Sequence, residues 1–130
     1  MTTYLLDANA VISLLVSEHE HHARVAAWAN HAGQLAICPV VEGAFTRFLV
    51  RTGESAATAQ AALRALIADD RVTFWPDSAS YADADLGDVI GHRQVTDAYL
   101  VQLAAGQEGV LATFDHSLAA ARPNHTLLIP

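Results

Sequence analysis

Residues 95–118 read VTDAYLVQLAAGQEGVLATFDHSL, and this stretch establishes the fold class. Over Thr96–Ala105 the apolar residues recur at helical spacing, and a glycine-containing turn follows. Val110–Thr113 is then predicted as a strand, and Thr3–Leu6, the first strand of the chain, lacks the alternation of a half-exposed strand, which is typical of a buried strand. A helix, a short turn and a strand in this order predict an α/β chain with a parallel sheet.

The same alternation extends over the rest of the chain. Five strands are predicted, at Thr3–Leu6, Leu35–Cys38, Val72–Trp75, Val110–Thr113 and Thr126–Ile129. Helices are predicted at Ala8–Val16, His21–Ala32, Val40–Arg51, from a Ser55 cap to about Ala68, from a Thr96 cap to about Ala105, and at Ser117–Ala121. Asp77–Gln94 is predicted to hold a short helix around Ala79–Leu86 and a loop containing Gly91, His92 and Arg93. We expect a three-layer α/β/α sandwich with a mainly parallel, roughly five-stranded sheet, formed as one domain by residues 1–130.

Composition excludes several classes of function. The chain has 130 residues, a net charge of −7, seven Arg and no Lys, so P-loop lysines and Schiff-base lysines are excluded. It has neither a signal-peptide pattern nor an apolar run of the roughly 20 residues that span a bilayer, so we expect a soluble, cytoplasmic protein without a membrane partner. The single Cys38 lies in an apolar segment and is expected in the core of a protein from a reducing compartment.

Four carboxylates lie at the ends of predicted strands or at the starts of predicted helices. Asp7 and Asp115 directly follow the first and fourth strands, Asp97 opens a helix, and Glu42 lies in the first turn after the second strand. Because ligands bind at the carboxyl ends of parallel strands, we expect all four side chains to converge at that edge. Converging acids raise one another's pKa, and a hard divalent cation removes this cost. The pattern indicates a divalent-metal pocket suited to phosphodiester hydrolysis.

Each acid also has a simpler explanation. Asp7 and Asp115 precede helices and fit N-cap positions. Asp97, predicted at the first helical position, and Glu42 would each favour the helix dipole by about 0.3–1 kcal/mol. Taken singly, capping is the more common role for every one of them. The metal interpretation depends on the four together and on the apolar stripes that direct Asp97 and Glu42 toward the sheet.

Four segments of the chain resemble the PIN-domain ribonucleases, and among them the VapC-type toxins of type II (VapBC) toxin–antitoxin pairs. The segments are LLDANAVISLL, PVVEGAFTRFL, GHRQVTDAYLVQLA and GVLATFDHSLA. They carry D-x-N after the first strand, a mid-chain Glu, T-D-A at a helix start and T-x-D after a late strand, in the family's order and spacing. The resemblance implies a PIN-like α/β/α fold and a metal-dependent endoribonuclease that acts as a toxin.

The resemblance also implies the site. The catalytic residues would bind Mg²⁺, or Mn²⁺ as its substitute, and a metal-activated water would hydrolyse the RNA phosphodiester bond. Whether one ion or two bind stays open. Asn9 and Thr113 match the polar positions beside the first and last acids and would orient them, although a helix-terminal Asn and a strand Thr explain both more simply. The implied catalytic and metal-binding residues are Asp7, Glu42, Asp97 and Asp115.

Basic residues near the acids are candidates for substrate contact. Arg93 precedes Asp97 by four residues, and His92 adjoins it. Arg47 and Arg51 lie four residues apart on the Glu42 helix. Arg93, Arg47 and His92 are the candidates for contact with RNA phosphates. Contact is the favoured interpretation for Arg93, and solvated surface is the alternative for all three.

Two further charged clusters have simple explanations. The cluster His19-Glu20-His21-His22 has no evident third metal ligand and is predicted to be exposed surface. Asp83, Asp85 and Asp88 are predicted to be solvated charges.

Partners follow from the resemblance as well. We expect an RNA substrate, a homodimer and a cognate VapB-type antitoxin, whose C-terminal segment would place an Arg among the acids. Two alternatives remain. The first is a catalytically inactive PIN-like module that binds RNA or protein. The second is a small-molecule phosphohydrolase with Asp7 as nucleophile, which Asn9 two residues later and the absence of Lys disfavour.

Overall fold

A parallel five-stranded sheet in the order β3-β2-β1-β4-β5 forms the centre of the computed structural model, which describes residues 2–130. Every neighbouring pair of strands is parallel, as predicted. The strands are β1 Thr3–Leu6, β2 Gln34–Ile37, β3 Val72–Phe74, β4 Val110–Thr113 and β5 Thr126–Leu128.

Helices connect the strands and cover the sheet. α1 contacts α2 and α3, α3 contacts α4, and α5 packs against β1 and β4. None of the helices within residues 2–130 combines the length and the apolar character that a membrane crossing requires. The helices are α1 Ala8–Leu15, α2 His22–Ala32, α3 Pro39–Arg51, α4 Ala56–Ile67, α5 Val95–Gly106 and α6 His116–Ala121, with 3₁₀ turns at Tyr81–Asp83 and His92–Gln94.

The core explains why the strand segments read as continuous apolar runs. Leu5, Ile37 and Leu111, from the three central strands, are fully buried, because helices cover both faces of the sheet. Phe45 of α3 and Leu100 of α5 join the same core. The three-layer α/β/α architecture predicted from the sequence is confirmed.

Most predicted boundaries differ from the structure by one residue at most, and two differ more. The predicted helix at Ala79–Leu86 is wrong, since only the 3₁₀ turn Tyr81–Asp83 forms. Side chains of this segment form hydrogen bonds with the local backbone instead. The hydroxyl of Ser80 accepts from the N–H of Ala82, and the carboxylate of Asp85 accepts from the N–H of Gly87. Such local bonds compete with helix formation.

The start of α5 was also predicted wrongly. Thr96 is not the cap, because the 3₁₀ turn His92–Gln94 runs directly into the helix and Gln94 occupies the N-cap position. The Gln94 side chain accepts from the N–H groups of Ile90 and Gly91, which stabilises this turn. Asp97 is therefore the third residue of α5 rather than the first, and the predicted loop around His92 is a 3₁₀ turn.

The strand order places a crevice between β1 and β4. The chain passes from β1 outward through β2 to β3, then returns to add β4 on the other side of β1. Parallel sheets bind ligands where the order reverses in this way, outside the carboxyl ends of the strands. Asp7 directly follows β1, and Asp115 follows β4 after one intervening residue, Phe114, so both flank this crevice.

Gly109, just before β4, is packed too tightly for any side chain. A Cβ there would lie 2.7 Å from the carbonyl oxygen of Thr3 and 2.7 Å from Cη2 of Trp75. We expect Gly109→Ala to lower the free energy of unfolding by about 1–3 kcal/mol, the usual cost of overpacking. Urea denaturation measures the change. Gly106→Ala is the matched control, because a Cβ at Gly106 meets nothing within 4 Å, and equal losses in the two variants would contradict the prediction.

Candidate active site

Asp7 is the most deeply buried acid of the crevice, with 6% of its surface exposed. Its Oδ1 accepts from the N–H of Ala10 at 2.8 Å, so Asp7 does cap α1. Burial raises the pKa of this carboxyl, the charge of Asp115 adds to the rise, and hydrogen bonds from Thr113 and Ala10 oppose it. A cap alone does not require burial, since most N-caps are satisfied at the surface.

Asp97 lies in the first turn of α5 and is half-buried. Burial raises its pKa, the charges of Asp7 and Asp115 add to the rise, and together they bring it to about 6. Three carboxylates from distant parts of the sequence therefore share one electrostatic neighbourhood. Unprotonated, they repel one another.

Asp115 is exposed and caps α6, with its Oδ1 accepting from the N–H of Leu118 at 3.0 Å. Its own N–H donates to the hydroxyl of Thr113 at 3.0 Å. Thr113 is fully buried at the end of β4, and its side chain lowers the pKa of Asp7. The Thr113 side chain thus acts on both acids, the one that follows β1 and the one that follows β4.

Asp97 and Asp115 line a cavity of about 180 Å³ between α5 and α6. The segment before α5 closes one side of this cavity. Arg122 holds that segment, because its guanidinium donates to Asp88 at 2.6 and 3.1 Å and to the carbonyl of Asp85 at 2.8 Å. Asp88 is exposed, as predicted, and in addition it pairs with Arg122. The remaining lining residues are Asp88, Val89, Gln94, Ala98, Ser117, Leu118, Ala121 and Arg122.

Glu42 belongs to a different acidic pair. Burial raises the pKa of Glu42, and the charge of Asp77 adds to the rise. The Asp77 charge also contributes to the raised pKa values of Cys38, at about 11, and of Tyr99. The structure thus brings three of the four predicted acids, Asp7, Asp97 and Asp115, within electrostatic range of one another and places Glu42 beside Asp77.

Sequence reasoning missed Asp77, although the signal was present. Asp77 follows the third strand after Trp75 and Pro76, as Asp7 and Asp115 follow theirs. An acid shortly after a parallel strand lies at the carboxyl edge of the sheet in all three cases. Cys38 is buried, as predicted.

The donor set is compatible with a hard divalent cation. All the gathered side chains are carboxylates, and oxygen ligands of this kind suit Mg²⁺ and Mn²⁺. A bound cation would offset the charge repulsion that, together with burial, raises the pKa of Asp97. Within residues 2–130, however, no three His, Cys, Asp or Glu side chains stand in an arrangement that would hold one ion.

The other candidate residues lie apart from the three aspartates. Asn9 is on the exposed side of α1, and the hydrogen bonds of Asp7 come from Thr113 and Ala10 instead. Arg47 is exposed on α3. Arg93 and His92 are exposed in the 3₁₀ turn before α5, next to Gln94 of the aspartate-lined cavity.

The histidine cluster makes more contacts with the rest of the protein than predicted. His22 is half-buried, with its Nδ1 2.9 Å from the carbonyl oxygen of Ser13, and the ring of His21 stacks on Phe114 at 5.1 Å. These contacts join the segment before α2 to α1 and to the end of β4. The exposed-surface prediction is wrong for these two residues, and no metal-holding group includes them among the described residues.

Residues 4–122 match the PIN domain family. The ribonuclease VapC29 of Mycobacterium tuberculosis is 48% identical over 130 residues, which cover 98% of this chain and 97% of that protein. The ribonuclease VapC38 of the same organism is 38% identical over 129 residues, with 92% of each chain covered.

Solved structures share the fold at low sequence identity. The crystal structure of the Mycobacterium tuberculosis toxin VapC20 superposes with a TM-score of 0.67 at 18% identity, covering 91% of this chain and 94% of that one. The structure of Rickettsia felis VapBC2 bound to a promoter DNA fragment also gives 0.67, at 15% identity and 97% and 98% coverage. This chain belongs to the PIN-domain family, in its VapC branch, because residues 4–122 match that family and VapC29 is 48% identical over nearly the whole chain.

Proposed function

We propose that this chain is a metal-dependent endoribonuclease and the toxin of a type II toxin–antitoxin pair. The observation that carries the proposal is the group Asp7, Asp97 and Asp115, whose charges act on one another at the carboxyl ends of β1 and β4. The ribonuclease names of VapC29 and VapC38 support the same activity. A purely structural role for three such acids would leave their repulsion uncompensated.

The residues that would hold Mg²⁺ or Mn²⁺ are Asp7, Asp97 and Asp115, and Glu42 is proposed as a fourth ligand. A bound divalent cation lowers the pKa of a water molecule and stabilises negative charge on the attacked phosphate. Thr113 maintains the orientation of Asp7 through its hydroxyl, and Asp97 is mostly ionised at pH 7 because its pKa is about 6.

RNA contacts outside the acids are proposed for Arg93, His92 and Arg47. Arg93 and His92 are exposed beside the aspartate-lined cavity, and Arg47 is exposed on the helix that begins near Glu42. Arg is well suited to this role, because its planar guanidinium binds phosphate oxygens in pairs. Asn9 is proposed only as a neighbour of the site.

Cleavage of total cellular RNA by the purified, antitoxin-free chain tests the proposed activity. We expect discrete fragments with Mg²⁺ or Mn²⁺ and none with EDTA. Sequencing the fragment ends would identify the cleaved RNA. If RNA binds but neither metal supports cleavage, the chain is a binding module and the enzymatic proposal is wrong.

An antitoxin partner fits an apolar groove of about 380 Å³ between α1, α3 and α4. Leu15, Val16 and Phe48 line it, and an amphipathic segment buries its apolar face in such grooves. We propose a cognate VapB-type antitoxin there, a homodimeric toxin, and action in the cytoplasm. Expression of the chain alone should arrest growth and co-expression of the partner should restore it, while light scattering measures the oligomeric state.

A further inference from the structure

We infer that a second cavity, beside α1 and α3, binds phosphates of the RNA strand outside the scissile bond. This inference rests on the proposed function and locates part of its substrate. The cavity has a volume of about 350 Å³ and is called the arginine cavity below. Its lining residues are Asn9, Ile12, His19, Ala44, Arg47, Phe48 and Arg51.

Charge distinguishes the arginine cavity from the rest of the surface. The chain has 14 acidic residues against seven Arg, yet no acidic residue lines this cavity and two Arg do. Other arginines are already engaged: Arg71 pairs with Asp69, and Arg122 pairs with Asp88. Within residues 2–130, Arg47 and Arg51 form no ion pair, so their charges are available to a ligand.

The cavity lies along the two helices that begin at the active-site edge of the sheet. Asn9 is two residues after Asp7 on α1, and Arg47 is five residues after Glu42, about 8 Å along α3. The Arg47 side chain folds back toward the start of α3, since its Nη1 lies 3.4 Å from the position of a Cβ on Gly43. A strand that passes the acids can therefore continue over Arg47.

Apart from Asn9, whose amide both donates and accepts, the polar side chains of the cavity are donors. The N–H of His21 donates to Nδ1 of His19 at 3.1 Å, which leaves the ring proton of His19 on Nε2. The Arg51 guanidinium lies 5.6 Å from the ring centroid of Phe48, a contact that restrains it beside the cavity. Guanidinium forks and an imidazole N–H suit phosphate oxygens, and they carry no information about base sequence.

Binding of a labelled single-stranded RNA of about 12 nucleotides, followed by fluorescence anisotropy in EDTA, tests the inference without cleavage. We expect Arg47→Gln and Arg51→Gln each to weaken binding several-fold, and the double variant on the order of tenfold. Each single substitution should reduce the slope of log affinity against log salt by about 0.7, the value of one single-strand phosphate contact. Arg64→Gln is the matched control, because Arg64 is an exposed arginine on α4 that does not line the cavity.

The outcomes separate this inference from the proposed activity. The inference is supported if Arg47→Gln and Arg51→Gln show weaker RNA binding and a smaller salt-dependence slope while Arg64→Gln does not. This holds even if the wild-type chain cleaves no RNA. Equal binding by all three variants overturns it even if the wild type does cleave. A wild-type chain that does not bind RNA also overturns it. So does a result in which Arg47→Gln and Arg51→Gln lose affinity for the antitoxin but not for RNA.

Discussion

Asp97→Asn should reduce RNA cleavage in Mg²⁺ at pH 7 by about 10³-fold, which corresponds to about 4 kcal/mol of lost transition-state stabilisation. The reason is the position of Asp97, which shares its electrostatic neighbourhood with Asp7 and Asp115 and lines the cavity between α5 and α6. Asparagine keeps the shape of the side chain and removes the charge that would hold a cation. Single-turnover cleavage of an identified target RNA measures the loss.

The same substitution should raise the free energy of unfolding of the metal-free chain. An acid that served only the fold would give the opposite result. The pKa of Asp97 rises from 3.8 to about 6 on folding, so its contribution to stability is present below about pH 4 and is lost as the pH rises through 6. At pH 7 the ionised carboxylate costs about 1–2 kcal/mol, after allowance for partial exposure to solvent. Asp97→Asn removes this cost.

Urea denaturation in EDTA checks the stability change. We expect the variant to be more stable than the wild type at pH 7, and the difference to shrink toward pH 4. Asp83→Asn is the matched control, because the Asp83 side chain is exposed in a 3₁₀ turn, and it should change neither cleavage nor stability. Lower stability of Asp97→Asn at pH 7 would mean that its loss of activity reflects damage to the fold.

The affinity for Mn²⁺ should fall about tenfold between pH 7 and pH 5. With a pKa of about 6, Asp97 is roughly ten-elevenths ionised at the higher pH and one-eleventh at the lower, and a metal ligand must be ionised to bind. The raised pKa of Asp7 acts in the same direction. Isothermal titration calorimetry of the antitoxin-free chain measures the affinity.

Asp97→Asn is the control for the pH dependence as well. Its Mn²⁺ affinity should be weaker than that of the wild type at pH 7 and should change less between pH 7 and pH 5. If the wild-type affinity were the same at both pH values, Asp97 would not be a ligand. A comparison of Glu42→Gln with Asp77→Asn would then show whether the other acidic pair holds the cation.

Short-range patterns sufficed for most of the fold. β1 and β4 were predicted to the residue, and the Ser55 cap of α4 was correct, because buried apolar runs, glycines and capping side chains act over a few residues. The failures lie between residues 77 and 97. There, side chains such as Ser80 and Gln94 bond the local backbone, and helical propensity does not control the conformation.

The amino-acid order alone was enough to predict the parallel α/β fold, the family, and the placement of Asp7 and Asp115 after strands. Which acids are neighbours depends on strand order and helix packing, which join residues far apart in the chain. Those long-range contacts place Glu42 beside Asp77 and bring Asp97 to Asp7. They also place two arginines of α3 beside α1. Charge and burial act through space, so such neighbours emerge only when the sheet has assembled.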